Sequence, residues 1–198
     1  MAKPDRETIM KAIPRAALRL LPLGALLLPL CTLATRVILK KSETRFYITT
    51  LLGALLHPEQ TSAFVNNTLR SEQMADTRAW VYVAIGGLAV SIVCALAGLA
   101  FVFARKAKAL FACAAVYCAG ALSGTGMVLG LAMASRALAL AMQGMGRLAD
   151  ASLALETGAW LLAAALLLNL IACVVEWLTT RKRERLNELV HKPKRKRE

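Results

Sequence analysis

The chain has 198 residues, 58% of them apolar, and a net charge of +13 from 25 basic and 12 acidic side chains. A soluble domain is about half apolar; here the excess is gathered in long blocks, the signature of segments whose solvent is lipid. The bases flank those blocks instead of lining a polar face, which favours positive-inside topology and anionic lipid and argues against nucleic acid.

Met1 to Arg19 is polar and basic, with Lys3, Arg6, Lys11, Arg15 and Arg19 against Asp5 and Glu7. The first apolar block, 20–39, has the length of one membrane span, about 30 Å of helix. Pro22 and Pro29 lie inside it, which membrane helices tolerate with a kink. The rival reading is a secretory signal cleaved after Ala34, leaving three spans. An uncleaved anchor is preferred, because the block outruns the usual signal core.

Residues 40–79 form the expected outer loop. Within it Phe46 to Leu56 is apolar but too short to span, so it is expected in the interface or against the bundle. Asn66-Asn67-Thr68 is an Asn-x-Thr acceptor, placing a glycan at Asn66 if the loop is lumenal in a eukaryote.

The second span, 80–104, begins with the interfacial aromatics Trp80 and Tyr82 and stops at Arg105, Lys106 and Lys108. The third, 109–135, continues with few breaks to Met142; that length, about 51 Å, exceeds the bilayer, so its far end should project. Leu138, Met142, Met145 and Leu148 recur there at helical spacing. The fourth span, 159–178, is bounded by Trp160 and Trp177, and the tail 179–198 is strongly basic. Placing both termini inside puts 17 of the 25 basic residues on the cytoplasmic side. The expected fold is therefore all-α: one four-helix transmembrane bundle over 1–198, with both termini cytoplasmic.

Small residues mark the helix-packing faces. Gly120 and Gly124, then Gly126, Gly130 and Ala134, recur four apart in the third span, and Gly87 and Ser91 do so in the second. Such spacing lets helices approach closely, within the bundle or against a second protein. Asn169, near the middle of the fourth span, is expected to hydrogen-bond across helices or touch a ligand. Glu176 is expected to pair with Arg181 or Lys182, or with Arg105 across the bundle. Arg36 and Arg136 can snorkel outward.

The five cysteines (Cys31, Cys94, Cys113, Cys118 and Cys173) all lie in apolar blocks, so they read as packing residues, not a disulfide framework. Cys113 and Cys118 lack the C-x-x-C spacing of a redox pair. The four spans as drawn hold no ionisable group at mid-depth, which argues against a pump or transporter. No catalytic or phosphate-cradling motif is present, and His57 and His191 fall in polar segments, so no enzyme, metal site or cofactor is expected.

The basic tail offers Arg181, Lys182 and Arg183, then Lys192, Lys194, Arg195, Lys196 and Arg197, to an anionic leaflet at up to about 1 kcal/mol each. Its last five residues also resemble the K-x-K-x-x retrieval signal of endoplasmic reticulum membrane proteins. The localisation expected of a eukaryotic protein is accordingly the endoplasmic reticulum or plasma membrane.

In order and length the layout resembles the claudin-type tetraspans: four spans, a longer first outer loop, a short inner turn and a long third span. The W-x-x-G-L-W signature and paired cysteines of claudins are missing, since residues 40–78 contain neither Trp nor Cys. Casparian-strip-type and MARVEL-type tetraspans share the layout, but their acidic residue in the third span is missing too. The resemblance is thus to an architecture, and architecture does not set function. The expected role is a non-enzymatic multi-pass protein that organises membrane or associates laterally, with itself or with other membrane proteins. The alternatives are an accessory subunit of a larger channel, transporter or enzyme complex, and a small transporter or lipid-handling protein built around Asn169.

Overall fold

The computed structural model describes residues 6–37, 43–49, 74–104, 106–144 and 149–190. Four helices account for most of them: α1 (Arg6–Ala25), α2 (Ala75–Ala100), α3 (Ala107–Gly144) and α4 (Thr157–Val190). Three strands complete the fold: β1 (Cys31–Val37), β2 (Glu43–Thr49) and β3 (Ala149–Leu155). The helices α2, α3 and α4 are each long and apolar enough to cross a membrane.

The expected span at 20–39 is not one helix. α1 starts earlier, at Arg6, and ends at Ala25. Leu26, Leu27 and Leu28 then donate to the carbonyls three residues back, tightening the last turn. Pro29 follows, with no N–H to continue the helix and a steric bias against helical geometry at Leu28. Beyond it Thr32, Thr35 and Val37 are β-branched, and the chain becomes strand β1.

That strand belongs to a small sheet beside the helices, which hold most of the described residues. β1 is the centre of a sheet ordered β2-β1-β3, antiparallel throughout. The register pairs Cys31 with Thr49 on one side and with Leu155 on the other. β2 takes up Phe46 to Thr49, so this part of the expected interfacial segment is strand. Residues 40–42 and 50–73 of the outer loop, Asn66 included, lie outside the described residues.

The other boundaries move outward, except that α2 ends at Ala100, short of the expected 104. α2 begins before the expected Trp80, and α3 runs through Gly144 for about 57 Å. The projecting end of α3 is covered: Leu138, Ala141 and Met142 pack with Met74 and with Leu153 of β3. Ser135 Oγ donates to the Leu153 carbonyl at 2.7 Å, fixing the strand on the helix. α4 continues past the expected end of the fourth span, so Arg181, Lys182 and Arg183 are helical.

The helices run antiparallel in succession. Gly87 of α2 faces Ser123 and Met127 of α3, while Gly98 faces Tyr117. On the other side of α3, Phe111 meets Trp177 of α4 at 5.4 Å between ring centroids, and Gly124 meets Ala163. α1 lies along α4 in the same antiparallel sense. Arg15 pairs with Glu176 at one end, and Gly158 N donates to Pro29 O (3.0 Å) at the other.

Candidate functional site

Two kinds of helix interface meet on α3. The first is built from small residues. A Cβ on Gly87 would sit 2.7 Å from the Ser123 carbonyl oxygen, and one on Gly130 would sit 2.9 Å from the Ala84 nitrogen. Both contacts are to backbone, so α2 and α3 touch at near-minimal separation. Ser91 lies at their centre, fully buried, donating to Gly87 O at 2.7 Å and lying 3.0 Å from Ser123 Oγ. Ala134 is also buried.

The small residues of α3 do not share one groove. Gly124 faces Leu166 and Ala163 of α4, Gly130 faces α2, and Gly120 lies between the two, against Cys94 of α2 and Leu166 of α4. Gly126 faces neither: a Cβ there would meet nothing within 4 Å, and the same is true of Gly86 on α2.

The second interface is a polar seam where α1, α3 and α4 converge. Asn169, Cys173 and Glu176 recur at spacings of four and three on α4; Arg15 and Arg19 on α1, and Cys113 and Tyr117 on α3, are each four apart. Helical spacing therefore places each set on one face. Arg15 Nε meets Glu176 Oε1 at 2.7 Å, and Arg19 Nη2 lies 3.9 Å from Glu176 Oε2. The expected partners of Glu176 were on its own helix or in the turn at Arg105; its observed partners come from α1. The expected first span starts at residue 20, one position beyond Arg19, which leaves Arg19 among the flanking charges. Arg19 is in fact 3% exposed. An arginine this dry is costly unless paired, and Glu176 supplies the counter-charge.

Deeper along the seam, Cys113 Sγ and Cys173 Sγ lie 3.3 Å apart. The spacing of Cys113 and Cys118 does not suit a redox pair, and Cys118 is exposed; the thiol beside Cys113 comes from α4. Asn169 donates from Nδ2 to Leu18 O of α1 (2.8 Å) and to Ala165 O of its own helix (2.9 Å).

Four buried polar atoms along this seam find no hydrogen-bond partner among the described residues: Arg19 Nη1, Tyr117 Oη, Asn169 Oδ1 and Glu176 Oε2. Two arginines against one carboxylate leave a net positive charge. The seam thus has spare donors, spare acceptors and two thiols. Among the described residues no group of three His, Cys, Asp or Glu side chains is placed to hold a metal ion.

A third feature lies at the basic end of the bundle. Leu178, Arg181, Lys182, Arg185 and Leu186 line an open groove of about 310 Å³. They follow a helical stripe on α4 that sets basic walls on an apolar floor. Arg181 stacks over Trp177 at 5.4 Å, and Glu184 Oε1 accepts from Ala107 N at 3.2 Å, capping the start of α3. Arg183 is exposed beside the groove. Lys192, Lys194, Arg195, Lys196 and Arg197 lie outside the described residues. No protein-family model matches the chain, and no curated protein is significantly similar to it.

Proposed function

We propose that the chain is a non-enzymatic, four-pass membrane protein with both ends cytoplasmic, acting through lateral association with other membrane proteins or with itself. The fourth traversal is α1 with its following turn. Residues 15–30 run beside α4 from Glu176 to Gly158, about 27 Å of helix on the α4 side. The helical end at Ala25 is compatible with this, because the turn continues against α4.

The observation that carries the associative role is the division among glycines. Gly87, Gly120, Gly124 and Gly130 are consumed by contacts inside the bundle, whereas Gly86 and Gly126 are open. The outward surface around them is apolar, with Val83, Val90, Leu122, Leu129 and Met133 exposed. Open glycines on a lipid-facing helix leave flat positions where another helix backbone can approach. An accessory subunit would use the same face. The engaged amide of Asn169 supports a structural role for it over contact with a transported ligand. The basic groove on α4 suits the phosphate of an anionic lipid, with Leu178 and Leu186 against its chains.

Co-purification in mild detergent followed by mass spectrometry tests the role. Recovery of one stoichiometric partner supports an accessory subunit, and recovery of the chain with itself supports a self-associating organiser. A monomer with no crosslinked neighbour in cells sinks both. Attachment of a glycan at Asn66 in a microsomal assay is expected if the loop is lumenal; exclusive modification of an acceptor placed in the basic tail would reverse the topology.

A further inference from the structure

We infer that Cys113 and Cys173 form a redox-active dithiol, a modification site that hydrogen peroxide converts to a disulfide tying α3 to α4. The two sulfurs are 3.3 Å apart on different helices. A disulfide needs about 2.05 Å, so closing the bond asks for an approach of about 1.2 Å. The thiols are 0% and 2% exposed. Burial of that degree excludes a protein or peptide disulfide from aligning on either sulfur, whereas peroxide is neutral and small.

The seam supplies an activator. Arg19 reaches Glu176, three positions along α4 from Cys173. Its Nη1 has no hydrogen-bond partner among the described residues, so it is free to bind peroxide oxygen. A cation beside a thiol favours thiolate, the nucleophilic form.

The chemistry balances. Cys173 releases its proton and attacks one peroxide oxygen through Sγ. The O–O bond breaks, and the departing hydroxide takes that proton as water. Cys173 is now a sulfenic acid. Cys113 Sγ attacks the Cys173 sulfur, the S–S bond forms and the S–O bond breaks. Hydroxide leaves with the Cys113 proton as the second water. Two thiols have lost two electrons, and one peroxide has become two waters. A thiol reductant reverses the change.

The test treats the full-length protein in lipid nanodiscs with hydrogen peroxide, then denatures it and alkylates the remaining thiols. The alkylatable count is expected to fall from five to three. Peptide mass spectrometry should find a single Cys113–Cys173 linkage, lost on treatment with dithiothreitol. In Cys113→Ser the resolving thiol is missing, so dimedone should trap the sulfenic acid at Cys173. Arg19→Leu should slow oxidation about tenfold without changing the linkage. Five alkylatable thiols after treatment, or oxidation centred on exposed Cys118, overturns the assignment. The wild-type measurement suffices even if a variant fails to fold. Its outcome is independent of lateral association, which a monomeric result would remove without touching the dithiol.

Discussion

Two interfaces of the bundle hold helices by opposite means. Between α2 and α3 the surface is small: Gly87, Ser91 and Gly130 let backbones touch, and packing plus a Ser91–Ser123 pair suffices. Along the seam of α4 it is polar: Arg15 and Arg19 of α1 close on Glu176, Asn169 reaches an α1 carbonyl, and Cys173 meets Cys113 of α3. In lipid no hydrophobic force draws helices together, so either shape or polarity must. The small interface is mechanically exact and chemically inert. The polar one carries buried groups without hydrogen-bond partners among the described residues, and two neighbouring thiols.

Charge removal should separate them most. Glu176→Leu leaves Arg19 buried without its counter-charge and is expected to destabilise the protein by about 3 kcal/mol, read by unfolding in mixed detergent micelles. Arg15 is partly exposed and contributes little of that. An unchanged midpoint would mean that α1 is not held by this pair.

Next comes overpacking of the small interface. Gly130→Val should cost about 2 kcal/mol, since its Cβ meets the Ala84 backbone rather than a movable side chain. Equal stability of Gly130→Val and the wild type would dissolve the contrast between the two surfaces. Asn169→Leu should cost about 1 kcal/mol, the upper range for one hydrogen bond between membrane helices. Loss of several kcal/mol would instead mark Asn169 as the centre of a larger network. Smallest is Arg181→Gln: retention of anionic lipid, measured by native mass spectrometry, should fall about fivefold, equivalent to about 1 kcal/mol.

Much of the helical framework was legible because lipid-facing blocks need no partner to be recognised. The second, third and fourth apolar blocks each became a helix. What failed was whatever depended on a long-range partner. β1 looked like the end of a span because its strand identity rests on pairing with β3, more than a hundred residues away. Arg19 looked like a flanking charge because Glu176, its reason for burial, lies on another helix. Cys173 carried no local signal for Cys113. Spacing does place Asn169, Cys173 and Glu176 on one face, and that stripe was the available clue to the seam. Gly126 shares the spacing of Gly130 and Ala134 yet meets neither α2 nor α4, which spacing alone does not reveal.

The associative role rests on that outward glycine. Gly126→Ile should leave thermal stability in detergent unchanged, because nothing occupies the space beside it, while reducing recovery of the partner or second copy at least tenfold in mild-detergent pulldown. Full recovery with Gly126→Ile, at wild-type stability, would contradict the claim that this face is where the protein meets its neighbours.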